Sequence, residues 1–411
     1  MNPRSLVLAL VAPLSALGFF ACAESSTPEL QAEDGGSLPP VVPSDAGSET
    51  APPEDADAAR PVQTCSSGGF CYVPLPVQAP LIAVSAANVD DAWAVGANFV
   101  LRWDGQAWTH VYQYQGTDPR FSFKGIRVSG HDDVWIWGTS LVVHYTVRGG
   151  APSFQAFDST GGASWVPSTS DAIWRINGSR IQHLREEPDA GLVVAEDLSS
   201  EIGNFNIWGA GAEDVYVAGE LCRSPWGCDW SPQSARGAVA HYDGTAWTSA
   251  LLGDGERVTW LQGFEQNQKR QLWMWTGAPG FTRTQLRLVS VAEDGGLSAP
   301  LFSKDVISGR PGSDFGLLVT EGEWCSNLTG FVVSPSLAWF TNGCLMYQWN
   351  GTDVELVRTE LGNLPTGMVN GIWAGPDGEA WIVGQAARGD VTAPKTGFAA
   401  MRKVARDGGQ P

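Results

Sequence analysis

Three near-neighbour couples of cysteine, five histidines and a set of paired acids are the groups in this 411-residue chain that could do chemistry. The cysteines fall as Cys65 with Cys71, Cys222 with Cys228 and Cys325 with Cys344, with Cys22 alone near the start. An even count in close couples is a disulfide pattern of an oxidising compartment. Zinc would call for Cys-x-x-Cys or histidine at finger spacing, and neither occurs. Histidine is the natural proton carrier near neutral pH. Yet His144 and His241 occupy one recurring slot, filled by Arg102 and Gln348 elsewhere, and His183 sits similarly; a side chain repeated along a chain belongs to its architecture. His131 falls in an acidic turn and His110 on an outer strand. The pairs Asp90-Asp91, Asp132-Asp133 and Glu213-Asp214 could ligate calcium, but their recurrence suits Asp side chains closing turns. There is no G-x-S-x-G, H-E-x-x-H or phosphate-binding glycine loop. No catalytic residue, metal or cofactor is therefore expected. Recognition remains: Arg223, Trp226, Trp230 and Trp324 stand beside the cysteine couples, and Trp and Arg dominate binding hot spots.

These side chains ride on a repeat. Asp91-Ala92-Trp93-Ala94-Val95-Gly96 returns as Asp133-Val134-Trp135-Ile136-Trp137-Gly138, and the run ending Trp103-Asp104-Gly105-Gln106-Ala107-Trp108 returns as Tyr242-Asp243-Gly244-Thr245-Ala246-Trp247. Asp-Gly and Asn-Gly between apolar runs are strong hairpin signals, read here as two-residue type I′ turns. They occur at Asp104-Gly105, Asn177-Gly178, Asp243-Gly244 and Asn350-Gly351, three of them closing what reads as a third strand. The aromatic marker of the second strand is Trp93, Trp135, Trp174 (or Ile173), Tyr216, Trp273 and Trp381, with one more at Phe315 or Trp339. Spacing near forty residues is that of a four-stranded propeller blade. Nineteen Trp and forty-nine Gly suit short strands and tight turns with aromatics wedged between sheets. The expected fold is all-β: a seven-bladed β-propeller of four-stranded antiparallel sheets, or eight blades if Phe315 and Trp339 mark separate ones.

Residues 1–22 read as an export signal, with Arg4 before the apolar run Leu6 to Phe20. Phe19-Phe20-Ala21-Cys22 resembles a bacterial lipobox, which would lipidate Cys22; the alternative is cleavage after Ala23. Residues 23–64 carry nine acids against Arg60 alone and almost no large apolar side chains. Such composition stays disordered, and a flexible chain of that length spans roughly 35–40 Å. The propeller then occupies 65–411 and starts out of phase. Residues 70–77 read as an outer strand without a blade, while 371–384 and 397–404 supply only three strands at the other end. Ring closure by pairing 70–77 with 397–404 resolves both.

Antiparallel order puts turns one-to-two and three-to-four on one face of the disc, where the Asp-Gly turns and acidic pairs lie. The long excursions fall on the other: 220–237, 321–343, 385–396 and linkers near 114–122 and 296–304, with 264–270 an exception. Loops over a rigid scaffold are where binding resides. The net charge is −19, and the chain past Arg60 still has 23 basic against 35 acidic residues. No basic stripe exists for nucleic acid, and anionic partners are repelled at long range.

The D-V-W-A-V-G and H-Y-D-G-T-A-W patterns resemble the Trp-rich repeat propellers of bacterial surface lipoproteins, similar in architecture to kelch and galactose-oxidase-like propellers. Copper ligands and a sialidase-type arginine cluster find no counterpart. The resemblance implies fold and export. The expectation is a monomeric, non-enzymatic binding or adhesion module of the cell envelope, an outer-membrane lipoprotein or a secreted protein. Its ligand would be a glycan or protein, and a lipid anchor its one membrane contact. The alternative is a carbohydrate-active hydrolase or lyase with carboxylates on the long-loop face.

Overall fold

In the computed structural model, residues 65–404 are described except 160–161, 167–171, 178–179, 188, 200–201, 222–235, 255, 267–268, 278–283, 293–294, 307–326, 360–366 and 387–395. They form seven four-stranded antiparallel sheets and no helix. The chain opens with β1 (Cys71–Val73). Blade 1 is β2 (Leu81–Asn88), β3 (Asp91–Gly96), β4 (Phe99–Trp103) and β5 (Trp108–Gln113). Blade 2 is β6 (Phe123–Gly130), β7 (Asp133–Gly138), β8 (Leu141–Arg148) and β9 (Ala151–Asp158). Blade 3 is β10 (Ser164–Trp165), β11 (Ala172–Asn177), β12 (Arg180–Glu187) and β13 (Gly191–Ser199). Blade 4 is β14 (Ile202–Gly211), β15 (Asp214–Leu221), β16 (Arg236–Tyr242) and β17 (Trp247–Asp254). Blade 5 is β18 (Arg257–Gln266), β19 (Lys269–Gly277), β20 (Thr284–Ser290) and β21 (Phe302–Val306). Blade 6 is β22 (Thr329–Ser334), β23 (Leu337–Thr341), β24 (Met346–Trp349) and β25 (Val354–Val357). Blade 7 is β26 (Met368–Ala374), β27 (Ala380–Ala386) and β28 (Thr396–Arg402), completed by β1.

The ring closes as the sequence predicts: Cys71 pairs with Met401, Tyr72 with Ala400 and Val73 with Ala399. The Cys65–Cys71 disulfide sits at the head of the closing strand. Cys344 is also disulfide-bonded, to a partner outside the described residues. The count is seven blades. Trp339 fills the sixth marker position, and Phe315 lies outside the described residues. In blade 3 the marker is Trp174, which faces His183 as Trp135 faces His144.

The core is divided among the seams. Seven clusters of buried side chains each join two neighbouring blades. Each contains a marker aromatic, a tryptophan in six of them and Tyr216 in the seventh: Trp381 packs edge-on against Trp103 and Trp108 of blade 1 at 5.4 and 5.1 Å. Its indole N–H donates to the Val89 carbonyl at 2.9 Å, and Trp174 donates likewise to Ala212. Toward the axis the blades come together through tryptophan on glycine. A Cβ on Gly263 would stand 2.5 Å from the Trp208 ring, and one on Gly330 2.9 Å from Trp260. Polar side chains of the first strands stitch the same seams. Ser85 accepts from the Val128 amide, Asn206 from Leu261, and Gln262 exchanges two bonds with Val332; Asn370 donates to Leu81.

Several expectations are corrected. The Asp-Gly turns are four-residue loops, since Trp103 pairs with Trp108 and Tyr242 with Trp247. Asp104 Oδ1 accepts the amides of Gln106 and Ala107, so the side chain closes the loop and only the glycine needs positive φ, +92° at Gly105. Asn350 builds the same loop, and so does Asn342 in an Asn-Gly pair that the motif count missed. A two-residue turn with both φ positive is made instead by Gly149-Gly150. Residues 296–304 are not a linker: they run into β21, so 291–301 connects third to fourth strand on the short-turn face. The excursion placed at 321–343 contains β22 and β23, and the long segment of that blade precedes them. The exception at 264–270 is an extension of strands β18 and β19, still paired at Gln266 and Lys269.

Candidate functional site

The recurring third-strand slot is one device used several times. Each occupant lies directly across from a marker aromatic: Arg102 from Trp93, His144 from Trp135, His183 from Trp174, His241 from Tyr216. Register alone makes the rings overlap, at 3.8 Å for His144, 4.5 Å for His183 and 4.2 Å for His241, all near parallel. Arg102 lies 5.0 Å above Trp93 as a cation over a ring face. The acid two residues before the marker then meets the slot. Asp91 binds Arg102 at 3.2 Å, Asp133 binds His144 at 2.8 Å, and Asp214 binds His241 at 2.9 Å. The sequence pattern predicts that these acids close the turns; the second acid of each pair instead holds the slot cation or ring. Neighbouring blades add further partners: His131 reaches Asp91, and Glu186 takes the other His144 nitrogen at 2.6 Å.

Between blades 4 and 5 this device borders a cleft of about 380 Å³ lined by Glu213, Asp214, Tyr216, His241, Asp243, Glu265 and Arg270. Burial works against the Asp214 charge, but the His241 hydrogen bond and Arg270, 2.6 Å away, hold its carboxyl below the ordinary carboxylate range. Burial and the Asp214 charge push the Tyr216 phenol well up. These carboxylates lie on the short-turn face, opposite the face on which the hydrolytic alternative would place them.

A cavity of about 980 Å³ is the central channel, walled by the first strands of all seven blades. It reaches from their long-loop ends to about their middles, so Lys124, Trp137, Thr139 and Asn327 are at its mouth. Arg127 is three residues deeper than Lys124, roughly 10 Å along the strand. Both cations come from blade 2, and among the described lining residues there is no carboxylate. The Arg127 Nε is buried without a hydrogen-bond partner, and burial draws its guanidinium below the ordinary arginine range. Its position in register, across from the marker, is Ser85, Trp165, Trp208, Gln262, Phe331 and Trp373 in the other blades. Sequence reading passed over Lys124 and Arg127. The signal that finds them is this column, where Arg127 is the charged member.

Among the sequence-chosen residues, Cys65 and Cys71 are brought together. Cys22, Cys222, Cys228, Cys325, Arg223, Trp226, Trp230 and Trp324 lie outside the described residues, as do the signal at 1–22 and the tether at 23–64. Among the described residues no group of three or more His, Cys, Asp or Glu is disposed to hold a metal ion.

No family model matches the sequence, and no curated protein is similar enough to count. Solved structures are similar in fold. A structure of YCF48 bound to D1 peptide superposes with TM-score 0.52 at 12% identity, over 84% of this chain and 100% of that one. A streptogramin B lyase gives 0.52 at 13%, over 81% and 96%. The virginiamycin B lyase from Staphylococcus aureus gives 0.51 at 10%, over 82% and 99%. At such identities the likeness shows the β-propeller and nothing finer.

Proposed function

We propose that this protein is an envelope-tethered, non-catalytic binding module that holds a segment of a partner protein at the long-loop end of its central channel. The observation that carries the reading is the channel wall itself. Half-buried aromatics (Trp137, Trp208, Phe331), amide side chains and two cations line it, and among the described lining residues there is no carboxylate pair of the kind glycoside hydrolysis needs. A similar propeller, YCF48, is bound to a peptide, which supports a peptide ligand ahead of a glycan. In this reading residues 1–22 direct export, Cys22 carries the lipid, and 23–64 stand the propeller off the membrane. Arg223, Trp226, Trp230 and Trp324 belong to the rim of the contact surface, with the Cys222–Cys228 and Cys325–Cys344 couples holding their loops. The kinship with Trp-rich surface-lipoprotein repeats belongs to the same proposal.

The test is capture from an array of envelope proteins and glycans by the mature chain. Trp137→Ala and replacement of residues 222–230 by a Gly-Ser linker should each weaken capture of a protein ligand tenfold or more. Capture that neither change affects, or capture of glycans only, would sink the reading. The enzymatic alternative has one observation in its favour, the cleft where Asp214 orients His241 beside Arg270. Turnover of a polysaccharide that is lost in His241→Ala would establish it instead.

A further inference from the structure

Lys124 and Arg127 are an anomaly in a chain whose net charge is −19. Other partly buried arginines find acceptors: Arg102 on Asp91, Arg257 on Glu220, Arg270 on Asp214, Arg287 on Glu256. Arg127 finds none among the described residues, and neither does Lys124. A half-buried guanidinium without an acceptor is costly, and the channel does not relieve it. The polar wall residues Ser85, Asn206, Gln262, Asn327 and Asn370 are engaged across the seams. The opening beside the two cations is large enough for a small molecule or the end of a chain.

We propose that the channel is a carboxylate-binding site, in which the Arg127 guanidinium takes the carboxylate and Lys124 adds a second contact at the mouth. This rests on the channel being the ligand site of the binding module. A guanidinium fork matches a carboxylate with two parallel N–H···O bonds, and aromatic walls strengthen such bonds by excluding water. The surroundings argue for a singly charged carboxylate over a phosphate. Phosphates are cradled by helix N-termini or runs of free backbone amides. The described residues contain no helix, and on the unpaired edge of the first strands the amides of Val128, Leu261 and Val332 are taken by side chains of the preceding blade. The strongly acidic exterior also repels polyanions at a distance, leaving the small local positive charge to a ligand of low charge. That carboxylate comes either from a free small acid or from the C-terminus of a peptide.

The experiment is calorimetric titration of the mature chain with four probes: succinate, a short acetylated peptide with a free C-terminus, the same peptide amidated, and inorganic phosphate. Fluorescence of the channel tryptophans is read in parallel. Succinate, the free-acid peptide or both should bind, and the amidated peptide should not. Tighter binding of the peptide identifies a chain end as the source, and equal or tighter binding of succinate a free acid. Arg127→Met should weaken carboxylate binding about 10–100-fold, as expected for a hydrogen-bonded charge, and Lys124→Met by less, with the circular dichroism unchanged. Phosphate binding more tightly than both carboxylates, no carboxylate binding at 10 mM, or equal binding by Arg127→Met would each overturn the proposal. The two readings fail separately. An array partner captured equally by Arg127→Met removes the carboxylate site and leaves the binding module. Carboxylate binding without any array partner does the reverse.

Discussion

Arg102 and Arg127 stand in neighbouring blades, each directly across a strand pair from a buried marker tryptophan. Arg102 lies over the face of Trp93, binds Asp91 and reaches the Tyr145 hydroxyl at 3.4 Å. Arg127 lines the channel with a buried Nε and no acceptor among the described residues. The first is on the third strand and spends its charge in the seam between blades 1 and 2; the second is on the first strand, where it lines the channel. The same residue type, one strand pair apart, is therefore structural in one place and available in the other. Charge on the short-turn side holds blades together, while charge in the channel is left for something else.

The sharpest break of that comparison is His144→Ala. His144 is 8% exposed, stacks on Trp135 and joins Asp133 of its own blade to Glu186 of the next. Glu186 is 11% exposed, and its remaining partner Arg148 is 3.5 Å away and exposed. Removing one member of a largely buried pair costs about 3 kcal/mol. A shift of the urea midpoint worth less than 1 kcal/mol would mean that the slot does not hold the seam. Arg102→Ala should follow at about 2 kcal/mol, because Asp91, 9% exposed, keeps only His131 among the described residues. Arg102→Lys should recover part of this, since an ammonium pairs with the carboxylate but lies less flatly on the indole.

Arg127→Met should do the opposite. It replaces an unpaired cation with an apolar side chain of similar length, so stability should stay within about 1 kcal/mol or rise. Destabilisation beyond about 2 kcal/mol in the same urea titration would place Arg127 among the structural charges and erase the contrast.

Where the repeat was regular the fold could be read from residue types, and where it lapsed it could not. Acid-x-Trp and Asp-Gly recur because register forces them to: the marker needs a flat partner opposite it, and the loop needs an acceptor at its first position. Ring closure followed from a strand missing at one end and left over at the other. In blade 5, β21 reads Phe-Ser-Lys-Asp-Val, too polar to announce itself, and so 296–304 looked like a linker. In blade 6, β23 has Leu337 where blades 1, 2 and 4 have the acid before the marker, which hid both strands in a supposed excursion. The channel was harder still. Phe123-Lys124-Gly125-Ile126-Arg127-Val128 looks like any half-exposed strand, and a whole-chain charge averages two local cations away. Only the seven-fold column, aligned by pairing, isolates Arg127.

The smallest effect concerns Asp243, an exposed charge on the short-turn face whose partners are all within its own loop. Its Oδ1 takes the Ala246 amide at 2.8 Å, the Thr245 hydroxyl at 2.7 Å and the Thr245 amide at 2.9 Å. Those bonds, the Ala246 amide foremost, hold the carboxyl at about 2 against an ordinary 3.8. The folded value is depressed, so the contribution to stability is complete above about pH 4 and is lost as pH falls through about 2. Asparagine at this position keeps the acceptor oxygen and cannot titrate, and the fold already uses one: Asn350 Oδ1 accepts the amides of Thr352 and Asp353 at 3.0 Å each. Asp243→Asn should therefore leave the urea midpoint at pH 6 nearly unchanged and make its fall between pH 4 and pH 2 shallower than in the wild type. Arg127→Met, which removes a group that does not titrate there, should leave that fall as steep as before. Parallel acid limbs for wild type and Asp243→Asn would show that the loop draws no stability from its charge and that the acceptor oxygen alone closes it.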